Sequence, residues 1–367
     1  MFNISQLGGF NPANNPVIGT LWAWGQNAAG QLGNNTRTLR SSPTQIGTLA
    51  NWTQVATGSN FALALNSYGQ IFAWGSNTYG QLGQNNVIFR SSPVQIGAGN
   101  WVSIGASSTT LFAIREDGTL FGIGQNNNYT QLGDGTAINR SSPVQVGATS
   151  DFWNPAAGSF HAMCIKTNNS IWSWGSNAVG QIGQPNLVSY SIPTQIGTDN
   201  FWYQSSTQGN RSILIRLDGS MYVLGANNHG MLGVMGLVAC SSPVQIGSNS
   251  NWWFSTTGQY HSLALSDFGQ LWHWGSSANG ESGVNNLNNN SSPIQIGTNT
   301  GWRQASAGAY NSYAVDQTNS LYAWGLNAQG QLGTNNRTNY SSPVQIGTAT
   351  NWGQISSYLD FAVGIMG

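Results

Sequence analysis

The chain repeats one order of short apolar and Gly- or Asn-rich polar segments seven times. The most regular segment reads LWAWGQNAAGQLG from Leu21, and it recurs about every 50 residues, with one copy displaced by a single residue. Self-similarity at a fixed period of this length indicates a repeat architecture. The later copies begin at Ile71, Leu120, Ile171, Met221, Leu271 and Leu321.

Each copy predicts four short strands and has no helical period. Residues 21–24 are apolar on both faces, as in a strand that is covered on both sides. Residues 44–46 follow Pro43, which lacks a backbone donor and suits the outer edge of a sheet. Residues 52–56 and 61–65 complete the set. We expect these strands to be joined in antiparallel order.

The turn that follows the strand at residues 61–65, and its equivalents in the other copies, supports that order. Only glycine and asparagine occupy one position of this turn. Both residues tolerate the left-handed backbone that a tight hairpin requires. Four short strands per copy, seven times over, predict an all-β fold, a seven-bladed β-propeller with four antiparallel strands per blade. The turn residues are Gly69, Gly118, Asn169, Gly219, Gly269 and Asn319.

The two ends of the chain predict how the ring closes. The chain starts with residues 21–24 and 44–46, which are the third and fourth strands of a copy. It ends with a first and a second strand, at residues 352–356 and 361–365. We expect them to pair in one blade, which removes the sheet edges that an open array would expose. Residues 17–367 then form a single domain. Residues 1–16 show no period and are predicted to be an N-terminal tail or docking arm.

A tryptophan recurs at the end of the third predicted strand in five copies, and Ile123 and Leu224 occupy that position in the other two. One buried tryptophan removes about 150–250 Å² from water. We therefore predict that these side chains lie between blades as structural contacts. They are Trp24, Trp74, Trp174, Trp274 and Trp324.

Composition excludes several kinds of partner. Charged residues make up 5% of the chain, against about 25% in ordinary soluble domains, and the net charge is zero. Nucleic acid requires clustered Lys and Arg, so no nucleic-acid partner is expected. The sequence has no signal peptide at its start and no apolar run of membrane-spanning length, so membrane insertion is not expected either.

The candidate chemistry is sparse. His161 and His261 share one position, but Arg211 and Asn311 occupy it in other copies, which argues against a common catalytic role. No His or Cys cluster has metal-ligand spacing, and the Gly-rich segments do not open helices as phosphate loops do. We predict no enzyme activity, no catalytic residue, no cofactor and no metal.

Binding residues are predicted in the segment before each Ser-Ser-Pro or Ser-Ile-Pro, where the copies differ most. Arg and Tyr are favoured interface anchors, and an exposed apolar run can mark an assembly contact. The alternative is that each side chain packs over its own blade. The predicted partner-binding residues are Arg40, Arg90, Arg140, Tyr190, Tyr340, Val87, Ile88 and Phe89.

The signature WGxNxxGQLG, the Pro-x-x-Ile strand and a G-x-x-H segment together resemble the regulator of chromosome condensation family over residues 17–365. The resemblance implies a seven-bladed propeller. The family includes regulators that bind a GTPase, and bacterial and phage proteins that serve as binding or structural modules. The Asn-rich, lysine-poor composition is similar to that second group.

We expect a non-enzymatic structural, attachment and protein-binding module of a phage particle or bacterial surface, located on the virion or extracellular surface. Its partners would be proteins, including neighbouring subunits of a large assembly. One alternative is a soluble cytoplasmic regulator that binds a GTPase or an enzyme on one propeller face. Another is a surface module that binds glycans through exposed aromatic side chains.

Overall fold

The computed structural model describes residues 17–367, which form 28 β-strands and a short 3₁₀-helix at Asn228–Gly230. The predicted arm at residues 1–16 lies outside the described residues. The first strands in chain order are β1 (Thr20–Gly25), β2 (Arg40–Ile46), β3 (Trp52–Thr57), β4 (Phe61–Asn66), β5 (Ile71–Gly75), β6 (Arg90–Gln95), β7 (Trp101–Ala106), β8 (Thr110–Arg115), β9 (Leu120–Gly124), β10 (Arg140–Gln145), β11 (Phe152–Ala157), β12 (His161–Lys166), β13 (Ile171–Gly175) and β14 (Tyr190–Gln195). The remaining strands are β15 (Trp202–Gln208), β16 (Arg211–Arg216), β17 (Met221–Gly225), β18 (Cys240–Gln245), β19 (Trp252–Thr257), β20 (His261–Ser266), β21 (Leu271–Gly275), β22 (Asn290–Gln295), β23 (Trp302–Ala307), β24 (Asn311–Asp316), β25 (Leu321–Gly325), β26 (Tyr340–Gln345), β27 (Trp352–Ser357) and β28 (Phe361–Met366).

The strands form seven four-stranded antiparallel sheets, which are the blades of a propeller. We number them blade 1 (β3–β6), blade 2 (β7–β10), blade 3 (β11–β14), blade 4 (β15–β18), blade 5 (β19–β22), blade 6 (β23–β26) and blade 7 (β27, β28, β1 and β2). The first strand of each blade contacts the first strands of both neighbours. These strands therefore surround a central channel, and the fourth strands lie at the rim.

Blade 7 closes the ring with strands from both ends of the chain. β1 pairs with β28 over six residues, from Thr20 opposite Met366 to Gly25 opposite Phe361, and the sheet order is β2-β1-β28-β27. The predicted fold and its closure are confirmed. The predicted start of β2 at Pro43 is wrong, because Arg40 already pairs with Gly25. A register shift in that pairing accommodates the proline on an outermost strand.

The turn between the second and third strands has the backbone that its residues predicted. Gly69 has a φ of 71°, and Asn169 and Asn319, at the same position in blades 3 and 6, have φ values of 64° and 61°. A β-branched residue at such a φ would be strained. The restriction of this position to Gly and Asn is therefore set by the local turn.

In the five blades that have it, the tryptophan ring at the end of the third strand lies between two blades. Trp74 is fully buried, and its indole N–H donates to the carbonyl of Gln31, in the loop of the preceding blade, at 2.9 Å. Trp174, Trp274 and Trp324 make the same bond to the equivalent carbonyl, at 2.8–2.9 Å. Each ring thus contributes apolar burial together with one satisfied donor.

Trp24, the fifth of these tryptophans, is also fully buried, but its indole nitrogen has no partner within the described chain. The equivalent acceptor is the carbonyl of Gln331, and the hydroxyl of Tyr313 donates to it instead. The rings of Trp24 and Tyr313 meet edge to face, 6.2 Å apart. The contact between blades 6 and 7 is therefore built from two aromatic side chains.

His161 and His261 also link neighbouring blades. The Nε2 of His161 lies 2.9 Å from the Oγ of Ser212. That hydroxyl donates to the carbonyl of Gln181, so it accepts from the histidine, whose Nε2 carries the proton. His261 bonds to Ser312 in the same way, at 2.8 Å. Burial lowers the pKa of His161 to about 3 and lowers the pKa of His261 well below its usual range.

Replacing Trp74 with alanine should lower the free energy of unfolding by about 3–5 kcal/mol, because it removes a large buried ring and its hydrogen bond. Urea denaturation of the full chain measures the loss. Tyr68→Ala is the matched control, since Tyr68 is an aromatic residue of the same blade but 74% exposed, and its loss should stay within about 0.5 kcal/mol. Equal losses in the two variants would contradict a role for Trp74 between blades.

The buried histidines should make stability fall as the pH falls from about 6.5 towards about 3. In this window the unfolded chain takes up protons that the folded chain cannot bind, so each such histidine costs about 1.4 kcal/mol per pH unit. Burial lowers the pKa of His273 to about 3 as well. In urea denaturation across this pH range, His161→Asn should reduce the slope by that amount.

The exposed His229 provides the control for that pH experiment. It has a φ of 60°, a conformation that asparagine accepts, so His229→Asn makes the same substitution at a side chain outside the core. A slope that is the same in wild type and in His161→Asn would show that His161 is protonated in the folded protein.

Candidate protein-binding surface

The loops between the third and fourth strands, together with the first residue of each fourth strand, carry the predicted binding residues. A buried asparagine holds most of these loops. In blade 7, the Oδ1 of Asn27 accepts from the N–H of Leu32 at 3.0 Å. Its Nδ2 donates to the carbonyls of Thr36 and Thr38 at 3.1 and 3.0 Å. Asn77, Asn126, Asn177, Asn227 and Asn327 hold their loops from the same position. Residues at the tips of these loops are therefore held on a fixed backbone.

The three predicted arginines differ in their surroundings. Arg40 is exposed, Arg90 is half-buried, and neither forms an ion pair among residues 17–367. Arg140 is bound to Asp134 at 2.8 Å. Partial burial acts to raise the pKa of Asp134, but the hydrogen bonds from Thr136 and Arg140 outweigh it and lower the pKa. Arg140 is therefore already neutralised within its own loop.

Two further arginines, Arg37 in blade 7 and Arg337 in blade 6, are exposed in equivalent loops. They also have no ion pair in the described part of the chain. Sequence reasoning missed them because it compared only the last position of each loop, although both lie in the variable TRTLR and NRTNY segments. We call Arg337, Arg37, Arg40 and Arg90 the arginine arc, since they lie on the adjacent blades 6, 7 and 1.

Apolar side chains are exposed where the arginine arc ends. Val87 and Ile88 are 59% and 58% exposed, and Phe89, directly before Arg90, is 39% exposed. The equivalent loops of the next four blades also expose apolar side chains, and we call the whole set the apolar rim. It comprises Val87, Ile88, Phe89, Ile138, Leu187, Val188, Met235, Leu237, Val238 and Leu287. Exposed apolar residues on successive blades are typical of an interaction surface.

The two predicted tyrosines lie against their own loops. The hydroxyl of Tyr190 accepts from the Nδ2 of Asn186, and that of Tyr340 accepts from Asn336, both at 2.9 Å. Both rings are half-buried. Their observed contacts therefore brace the loops that carry the binding residues.

Tyr358 lies across the central channel near one end. This residue is buried at a position where four other blades have glycine. Its hydroxyl lies 3.2 Å from the Oγ of Ser159 in blade 3, so the side chain spans the channel from blade 7. Further along, the Oε1 of Gln354 accepts from the N–H of Val55 in blade 1 at 2.8 Å. The channel interior is thus used for contacts between blades.

Two kinds of site are absent from residues 17–367. No group of three or more His, Cys, Asp or Glu side chains is placed to hold a metal ion. None of the helices in this part of the chain is both long enough and apolar enough to cross a membrane.

Solved structures with the same architecture cover nearly the whole chain. The structure of human WBSCR16 matches this chain with a TM-score of 0.85 at 18% sequence identity. The match covers 95% of this chain and 100% of that chain. Yeast RCC1 (Prp20) bound to Kap60 has a TM-score of 0.84 and 19% identity, covering 95% and 89%. Prp20p from Saccharomyces cerevisiae has a TM-score of 0.83 and 19% identity, covering 95% and 92%. At these identities the likeness shows the fold alone.

Family membership follows from the repeats. The sequence has no significant match among curated proteins. The family model described as Regulator of chromosome condensation (RCC1) repeat matches residues 19–65, 68–114, 117–165, 218–265 and 319–357, which is more than half of the chain. A second model with the same description matches residues 52–81, 156–181 and 302–331. The chain belongs to the regulator of chromosome condensation (RCC1) repeat family.

Proposed function

We propose that this propeller is a non-enzymatic protein-binding module whose arginine arc holds an acidic surface of its partner. The observation that carries the proposal is the placement of Arg337, Arg37, Arg40 and Arg90 on three adjacent blades without an ion pair in the described chain. In a chain with only 10 basic residues, four together make a distinct positive surface. A guanidinium presents a rigid fork of donors that matches carboxylates.

The energetics favour a contact of several weak pairs rather than one strong pair. An exposed ion pair contributes about 0.2–1 kcal/mol, so one arginine alone would not define a partner. The loops are held by their buried asparagines, which reduces the ordering cost of forming several pairs together. Phe89 and Ile88 lie beside Arg90 and add apolar contact at one end of the arc.

The histidines support a non-enzymatic role. His161, His261 and His273 are buried, and each bonds a serine hydroxyl or a backbone carbonyl through Nε2. Burial lowers the pKa of all three. Groups that stay neutral and enclosed at physiological pH are poorly suited to proton transfer with a substrate at the surface.

A regulator of a GTPase or another intracellular protein is the second candidate function. Prp20p, a solved structure with the same fold, is described by its binding to Gsp1p and histones, and a further yeast structure shows RCC1 bound to Kap60. A role on a virion or bacterial surface, and glycan binding, stay predictions from the sequence.

Replacing Arg37 and Arg40 with glutamine should weaken binding to an acidic protein surface by about 2- to 30-fold, the equivalent of two exposed ion pairs. Fluorescence anisotropy with a labelled oligoglutamate peptide measures the dissociation constant. Arg140→Gln is the matched control, because its guanidinium is already paired with Asp134, and it should bind as wild type does. Equal binding by the double variant and wild type would refute the arc as the binding surface.

Gradient sedimentation of native source material, followed by mass spectrometry, tests the surface-assembly role. A structural protein should travel with a large particle in fixed stoichiometry. If the protein sediments as a free chain or in a small soluble complex, the virion or cell-surface role fails, and a soluble regulator becomes the preferred function.

A further inference from the structure

The alternating strand directions divide the loops between two faces of the propeller. Turns from second to third strands and loops from fourth to first strands lie on one side, which we call the turn face. Hairpins from first to second strands and loops from third to fourth strands lie on the other side, the loop face. The arginine arc belongs to the loop face.

The charges of this neutral chain are separated between the two faces. Of the 10 carboxylates and 10 basic residues in the chain, the turn face holds seven carboxylates and four basic residues. The loop face holds three carboxylates and six basic residues. The molecule therefore carries −3 on one face and +3 on the other. The turn-face carboxylates are Glu116, Asp117, Asp151, Asp199, Asp218, Asp267 and Asp316.

The basic residues of the turn face are already engaged within the propeller. Lys166 pairs with Asp151 at 3.1 Å, and Arg216 pairs with Asp199. Arg115 lies 4.3 Å from the centre of the Phe121 ring. The fourth basic residue, Arg303, donates to two backbone carbonyls of blade 7. The exposed carboxylates that remain are Glu116, Asp117, Asp218 and Asp267, on blades 2, 4 and 5.

On the loop face, the carboxylates are likewise engaged within the propeller, so the positive charge of that face remains. Asp134 is paired with Arg140, Glu281 is buried, and the half-buried Asp360 accepts a hydrogen bond from Gln331. Arg211 is buried and donates to the carbonyls of Gly258 and Gln259. The exposed charge of this face is therefore the arginine arc on blades 6, 7 and 1.

We infer that copies of this chain stack head to tail, with the exposed carboxylates of one turn face against the arginine arc of the next copy. This inference rests on the proposed function and names the partner as a second copy. The two charge sets sit on opposite halves of the ring, so adjacent copies are rotated by about half a turn about the propeller axis. Phe201 and Phe268, exposed on the turn face, provide apolar contact beside the carboxylates.

Such a contact is heterologous, because each copy uses two different faces. A heterologous contact that does not close into a ring continues as an open stack. The attraction acts between exposed charges, so it depends on ionic strength. The Debye length is about 30 Å at 0.01 M salt and about 3 Å at 1 M salt. Association is therefore expected to be strongest at low salt and to be lost at high salt.

Sedimentation velocity of the purified full chain tests the stack. At 0.01 M salt the wild type is expected to show at least twice the monomer mass at high protein concentration, and at 1 M salt the monomer mass. Two charge-reversed variants then identify the faces. One is Glu116→Arg with Asp267→Arg, since neither side chain makes a hydrogen bond within the described residues, and the other is Arg37→Glu with Arg40→Glu.

Each variant reverses two of the four charges in one contact set, which removes the net charge of that set, so each variant alone is expected to remain monomeric at low salt. An equimolar mixture of the two is expected to associate, because the unchanged arginine arc of one variant meets the unchanged carboxylates of the other. A wild type that stays monomeric at both salt concentrations, or a mixture that does not associate, would overturn the stacking model. If oligoglutamate binding still depends on Arg37 and Arg40 in that case, the proposed function stands and only the choice of a second copy fails.

Discussion

The contact between the third strand of one blade and the loop of the preceding blade is the constraint on which this structure depends. A single four-stranded blade has no second layer of its own, so it buries its apolar faces only against its neighbours. Trp74 shows how the contact works, with its ring fully buried and its indole N–H bonded to the carbonyl of Gln31. Burial of about 150–250 Å² at about 25 cal/mol per Å² corresponds to roughly 4–6 kcal/mol for one ring. These contacts also anchor the loops between the third and fourth strands, because Gln31 lies in one of them.

The blades keep this constraint while their chemistry differs. Leu224 replaces the tryptophan in blade 4, and among residues 17–367 the carbonyl of Gln181 keeps only the bond from Ser212. By contrast, the equivalent carbonyl of Glu281 accepts from both Ser312 and Trp324. Arg211 replaces the histidine of blade 3 and bonds carbonyls of the next blade. Buried backbone acceptors thus find donors of different kinds. Because the contacts between blades are kept in this way, the loops can differ in sequence from one blade to the next. These loops supply most of the exposed arginine and apolar side chains.

The sequence was sufficient to predict the fold because its markers have local causes. A turn that needs a left-handed backbone selects Gly69 or Asn169, and a ring that needs burial selects Trp74 or Trp174, wherever the copy stands in the chain. The candidate binding surface was predicted less completely. Arg140 is neutralised by Asp134, and Tyr358 reaches Ser159 in a distant blade. Each of these contacts occurs in one copy alone, so no repeated sequence pattern predicts it.

The composite blade 7 has a consequence for synthesis of the protein in the cell. β1 emerges from the ribosome early, but its partner β28 ends at Met366. During translation the nascent chain therefore holds a nearly finished ring whose first strands wait for more than 300 residues of sequence to be made. Contacts of such long sequence separation form slowly, and open strands during that wait invite pairing with other nascent chains. The order of synthesis therefore makes blade 7 the last to form. A chaperone would have the most open strands to protect while that blade is incomplete.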